Sequence, residues 1–292
     1  MSFVHVKNSE ISKVIETSLK LINYNFPKHI RNIAIKPNLC YYWDYTTGQT
    51  TDPKFVAGLI ELLRDKISPD LNISIVESDA SAMKCKYAFK FLGYEKLAKT
   101  HDVKLVNLSE DRGEKVIVTV QGEKFEFTMP ETIRNADLRI NVPKIKYMNP
   151  TKISCALKNI FGCNPEPKKF KYHQKIDETI VALNKIMKFH LHILDGIIVA
   201  GNYPTKLNLV MASQDPVTFD AAASKIVGIN PKTVHHIKLA NRECLGNITY
   251  TPKGENPKTF AKKFPKQKLK HKILASAYKL AIKTRLLDTE LL

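Results

Sequence analysis

The stretch "NIAIKPN", Asn32 to Asn38, followed after a loop by "TTDPKFVAGLIELLRDKI", Thr50 to Ile67, decides the fold class. The first is a short apolar run closed by a proline, which reads as a strand. The second offers Thr51 or Asp52 as N-cap, Pro53 in the first turn and a helical apolar face behind it. The unit recurs in "NISIVESDAS", a helix near "KYAFKFLGYEKLAKTH", and the strand "VKLVNL". Strand and helix alternating at this spacing predict parallel βαβ units.

Working outward, "ISKVIETSLKLI" places apolar residues at Ile11, Val14, Ile15, Leu19 and Ile22, the period of a helix packed on a sheet. "KVIVTVQGEKFEFTM" breaks the rhythm: two alternating runs flank Gln121 and Gly122, which predicts a β-hairpin. Beyond it come the strand "DLRINVPKI", the helix-compatible "KISCALKNIF", a Pro- and Lys-rich loop from Asn164 to Lys171 and the helix "DETIVALNKIM". The strands "LHILDGIIV" and "LNLVMAS" then lead into "DPVTFDAAASKIVG", a helix opened by Asp215 and Pro216 and stopped by Gly228. The expected architecture is α/β, with mostly parallel sheets, flanking helices and a hairpin insertion. It runs over residues 1–250, with lobes at about 1–135 and 136–250 around a cleft. Residues 251–292 read as a basic linker and a short amphipathic C-terminal helix, "ILASAYKLAIKTRLL".

Across 292 residues, 43% are hydrophobic, which is a globular composition, and the formal net charge is +18. Such a surplus draws anions: phosphorylated or carboxylated ligands, nucleic acid, or an acidic membrane. No apolar run approaches the roughly 18 residues of a membrane span, and no cationic start leads into an apolar stretch. The five cysteines, Cys40, Cys85, Cys155, Cys163 and Cys244, form no C-x-x-C pair. They spell out neither a disulfide framework nor a zinc or cluster site, so a reducing cytoplasm is the expectation.

In open parallel sheets, ligands sit beyond the carboxyl ends of the strands, where helix N-termini offer free N–H groups. Here those exits carry Lys36 and Asn38, Glu77 to Ser81 with Asp79 among them, Lys144 and Lys146, Asp195, and Asp215. A lysine directly after an apolar strand needs water or an anion to offset the cost of a buried charge. Lys36, Asn38, Lys144, Lys146 and Lys158 are therefore candidate anion ligands, with Asp215 at the rim. Asp79 and Asp195 are candidate acid or base groups. Asp79 and Asp215 are equally well read as helix caps. Lys158 lies in "SCALKNIFG" among small and apolar neighbours. Snorkelling is the ordinary outcome for such a lysine. An ammonium held in an apolar site instead has a depressed pKa and becomes a nucleophile or base.

The motifs "IKPNL", "TTDP", "INVPKIK", "ALKNIFGC", "YHQ", "ILDGI" and "DPVTFDAAASKIVG", in this order from about Lys36 to Leu245, resemble the family called domain of unknown function 362. That family is in turn distantly similar to the nickel-pincer lactate racemases. The resemblance implies a shared fold around a cleft, with Lys158 at the cofactor-bearing lysine and His173 near the metal histidine. Met148 stands at the position of the catalytic histidine, and a thioether cannot shuttle protons at neutral pH. Many members of the family carry a ferredoxin-like module. This chain has no such Cys-rich insert, and Cys155 and Cys163 read as small packing residues.

The functional expectation is an enzyme or binding protein for an anionic small molecule or cofactor held in a lysine-lined cleft. Its reaction and cofactor are not legible. Nucleic-acid binding through the basic surface and tail is a rival, although aromatics are not interleaved with the tail's basic run as in a stacking platform. Membrane-surface or partner docking through the C-terminal helix is a third reading, and a homodimer is left open.

Overall fold

The computed structural model describes residues 1–7 and 10–266. Its strands are β1 (Ser2–His5), β2 (Asn32–Pro37), β3 (Asn72–Glu77), β4 (Lys104–Asn107), β5 (Gly113–Val120), β6 (Glu123–Pro130), β7 (Leu138–Val142), β8 (Lys146–Met148), β9 (Lys152–Ser154), β10 (Leu191–Ala200), β11 (Pro204–Ser213) and β12 (Lys253–Gly254). The main sheet runs in the order β12-β1-β11-β10-β7-β2-β3-β4, with β8 and β9 attached beside β10. From β10 to β4 every neighbour is parallel, whereas β11 is antiparallel to both β10 and β1. The protein is thus α/β with a mostly parallel mixed sheet. Strands from before and after residue 135 are hydrogen-bonded into this one sheet.

The central strands are apolar on both faces, as strands covered on both sides must be. In β2, Ile33 and Ile35 face a core closed by the helices Ile11–Leu21, Pro53–Lys66, Cys85–Phe91 and Tyr94–Thr100. Ala34 belongs to the opposite core, closed by the helices Ile176–Met187, Pro216–Ile226 and His235–Arg242 and by the β5–β6 hairpin. The period of two then sends Lys36 to the Ala34 side. The expected hairpin is present, and its turn has positive φ at both central residues, 50° at Gln121 and 82° at Gly122. That is the backbone of a type I′ turn, and it matches the twist of the flanking strands.

Two segments differ from expectation. "KISCALKNIF" is not one helix: Lys152, at φ 66°, ends a tight reversal that pairs β8 with β9, and only Ala156–Asn159 is helical before a 3₁₀ turn over Ile160–Cys163. Residues 251–266 are not a free linker. β12 extends the sheet beside β1, and Phe260 and Phe264 of the following segment are buried against the core. Pro and Lys composition concealed the two anchoring phenylalanines. The amphipathic helix expected further on lies outside the described residues.

Candidate functional site

The chain leaves β2 outward through β3 and β4, then returns to β7 on the other flank of β2. Loops diverge at such a reversal, and the crevice at the strands' carboxyl ends is where this architecture binds ligands. A pocket of about 220 Å³ opens there. Its walls come from the ends of β2 and β3, from β8, and from residues 158–176.

Four lysines line it: Lys36, Lys146, Lys158 and Lys169. Glu77 is the one carboxylate among the described lining residues. Lys36 and Glu77 are both buried and form an ion pair at 2.7 Å. Lys36 Nζ also donates to the Pro37 carbonyl at 2.7 Å, and Glu77 accepts from the Leu39 and Ser78 amides. Gly162 lies against this pair. A Cβ there would come within 2.9 Å of Lys36 Nζ and 2.8 Å of Glu77 Oε1, so the absence of a side chain is what lets the 3₁₀ turn close over the buried charges.

Lys169 Nζ donates to Ser78 Oγ at 2.5 Å, and Ser78 Oγ in turn donates to the Gly162 carbonyl. Lys146 Nζ donates to the Gln49 carbonyl at 2.9 Å. Among the described residues Lys158 has no such partner; its Nζ sits 3.7 Å from the centroid of the Phe161 ring.

Desolvation and mutual repulsion both disfavour the charged ammonium. Burial, reinforced by Lys169 and Lys146, brings Lys158 down to about 7. Burial brings Lys169 to about 8, with Glu77 opposing the shift and Lys36 adding to it. Lys146 is lowered by burial too, although the nearby Cys40 pulls the other way. His173 packs edge-on to Phe170 in the same wall, and burial together with the Lys158 charge holds it down at about 4. It is therefore a neutral imidazole at pH 7, with a buried Nδ1 that has no hydrogen-bond partner among the described residues. Asn38 Oδ1 is also buried and, among the described residues, unpartnered.

The carrier of Lys158 is fixed from behind. Asp220, buried in the helix Pro216–Ile226, accepts from the Ala156 amide at 2.6 Å and the Leu157 amide at 3.1 Å. Asn159 Nδ2 donates to Asn141 Oδ1 at 2.7 Å, tying the same turn to β7. Sequence reading passed over Asp220 because it lies within an apparently ordinary helix.

Of the candidates, Lys36, Asn38, Lys146, Lys158 and His173 meet at this pocket, and so does Met148. The others lie elsewhere. Lys144 is buried in an ion pair with Asp195 at 3.0 Å, and Asp195 also accepts from the Asp52 amide. That pair braces β10 against the start of the helix Pro53–Lys66 and does not line the pocket. Asp79 binds Lys84 and accepts from the Cys85 amide ahead of the next helix. Asp215 caps the helix it precedes by accepting from Thr218 N and also holds the Asn247 amide. Both serve as caps. Glu77 and Lys169 enter the site without having been singled out. Among the described residues, no three His, Cys, Asp or Glu side chains are grouped to hold a metal ion, so His173 stands without companion ligands.

The chain is an α/β protein with a lysine-lined pocket at the switch point of a doubly covered sheet. More particularly, residues 33–225 match the family described as "Domain of unknown function (DUF362)", and the chain belongs to it. It is similar to the "Thylakoid-associated protein sll1697" of Synechocystis sp., 27% identical over 237 residues that cover 76% of this chain and 70% of that protein. Among solved structures it resembles the lactate racemase apoprotein from Thermoanaerobacterium thermosaccharolyticum, with a TM-score of 0.49 and 12% identity over 75% of this chain. The match spans 56% of the racemase chain.

Proposed function

We propose that the pocket receives a small anion bearing a carboxylate or phosphate. The observation that carries this reading is the lining of four lysines against one carboxylate. Glu77 is already engaged with Lys36, which leaves Lys146, Lys158 and Lys169 without a counter-charge from the lining. A dianion among them would restore the ammoniums and offset their desolvation. The free cysteines, Cys40 and the exposed Cys244 included, favour a reducing compartment such as the cytoplasm. Among the described residues no helix is long and apolar enough to cross a membrane.

Thermal melts in oxalate and in inorganic phosphate test the reading. Stabilisation by ligand reaches about 2.7 kcal/mol at a hundredfold excess over Kd. A rise in Tm with either anion that shrinks in the Lys169→Met variant is expected. Melts unchanged by every anion tried, at concentrations where ionic strength is matched with chloride, would overturn it.

A second reading, peripheral contact with an anionic membrane, is favoured by one surface feature. Tyr41, Tyr42, Trp43, Tyr87 and Phe91 are exposed together beside the pocket mouth, Phe91 at 63% and Trp43 at 52%. Tyr87 and Phe91 stack, Tyr42 meets Phe91 edge-on, and Tyr41 touches Trp43. The exposed Lys84, Lys86 and Lys90 stand around them. Aromatics at headgroup depth with lysines for anionic lipids are the usual means of interfacial binding, and the Synechocystis relative is named for thylakoid association. Sedimentation with phosphatidylglycerol-containing vesicles should exceed that with phosphatidylcholine alone. The double variant Trp43→Ser, Phe91→Ser should lose most of it; equal sedimentation of the variant would remove the aromatic cluster from the explanation.

A further inference from the structure

Three of the four pocket lysines are engaged by protein acceptors: Lys36 by Glu77 and the Pro37 carbonyl, Lys146 by the Gln49 carbonyl, Lys169 by Ser78. Lys158 faces an aromatic ring instead, and among the described residues it has neither a hydrogen bond nor an ion pair. Its side chain is partly exposed, so a molecule in the pocket can reach it. The turn that carries it is held by Asp220 and Asn159, so the amine is presented from a fixed support. An amine set among like charges, with no protein acceptor holding its proton, gives that proton up more readily than a hydrogen-bonded one.

Resting on the reading of the pocket as an anion site, we propose that Lys158 is a nucleophile that captures a small 2-oxo acid as an imine, with the acid's carboxylate lying between Lys146 and Lys169. A carbonyl one bond from a carboxylate suits the arrangement, because the same cluster that binds the charge also holds the amine. The unprotonated Nζ adds to the carbonyl carbon, and the C–O π pair moves to oxygen. A proton passes from nitrogen to that oxygen, giving a carbinolamine. The nitrogen lone pair then forms C=N as the hydroxyl leaves as water, its second proton being the one the nitrogen still carried. Amine and carbonyl thus become imine and water, with no electron acceptor required. His173 lines the same wall of the pocket. Phe161 and Phe170 are among the apolar walls of the pocket.

Reductive trapping tests this. The full chain is incubated at pH 7 with substoichiometric glyoxylate and sodium cyanoborohydride, then mapped by peptide mass spectrometry. Lys158 is expected to carry most of the adduct, at least tenfold above the average exposed lysine. Total adduct should fall to the background of scattered surface labelling in Lys158→Met. Excess oxalate, a dianion with no electrophilic carbonyl, should protect Lys158. Adduct spread over surface lysines without enrichment at Lys158 overturns the imine proposal. If oxalate nevertheless raises Tm in that case, the anion site stands and only covalent capture fails. If oxalate has no effect either, both readings fall together.

Discussion

Glu77→Gln is expected to cost about 3–5 kcal/mol of unfolding free energy, the usual consequence of removing one member of a buried ion pair. The substitution is isosteric, so it opens no cavity and isolates the charge. Glu77 is 3% exposed and Lys36 1% exposed, so water solvates the Lys36 ammonium poorly. A glutamine carbonyl can still accept one of the bonds now made to Lys36, Leu39 and Ser78. It cannot supply the charge. Lys169 loses as well, since Glu77 is the main influence opposing its depressed pKa. Adding Lys36→Met should recover much of the loss, because the double variant buries no unpaired charge at that point. Urea denaturation of the two single variants and the double, read as a double-mutant cycle, measures the coupling. A Glu77→Gln variant within about 1 kcal/mol of the wild type would show that Lys36 is neutral in the native pocket, contrary to the ion pair.

The alternation of strand and helix was legible because each unit carries its own local signals: Asp52 and Pro53 at one helix start, Asp215 and Pro216 at another, both caps in the structure. Lys36 and Lys158 were legible as candidates because each interrupts an apolar pattern. Lys144 and Lys146 show where that logic fails. They are two residues apart and share a face in any continuous strand. Pro143 cannot continue the ladder, β7 ends at Val142, and the chain resumes as β8 only at Lys146. The alternation is reset, so Lys144 goes to Asp195 while Lys146 goes to the pocket. Glu77 was visible at a strand exit, but its role depends on β2 lying beside β3, a pairing over 41 residues. Lys169 sits in a loop with no period to read, and only the fold brings it to Ser78. Asp220 looked like one polar residue in a helix, and its meaning appears once the Ala156 amide is seen opposite.

Lys158→Met is expected to stabilise the ligand-free protein, by an amount that depends on pH in a definite way. In the native state Lys158 titrates near 7, because burial and the surrounding Lys169, Lys146 and Lys36 disfavour its charge. Cys40 opposes this weakly, and His173 is neutral near pH 7. An unfolded lysine titrates near 10.4. Below pH 7 both states are protonated and the native state bears the full penalty, on the order of 5 kcal/mol at 1.36 kcal/mol per unit. Partial exposure and the Phe161 contact, the latter about 1–2 kcal/mol when desolvated, reduce the net gain from the substitution to about 2 kcal/mol. Between pH 7 and about 10.4 the unfolded state holds the extra proton, so wild-type stability rises with pH and the advantage of the methionine shrinks. Above that range both states are neutral and the advantage is gone. Urea midpoints of wild type and Lys158→Met at pH 6, 8 and 10 read this directly, as a difference that is largest at pH 6 and smallest at pH 10. With oxalate bound the order should reverse at pH 6, since the ligand restores to wild type a counter-charge that methionine cannot use. A difference that stays constant over the three pH values would mean that Lys158 keeps an ordinary pKa. The amine would then be solvated, and the pocket would lose the feature that makes it chemically distinct from a basic surface.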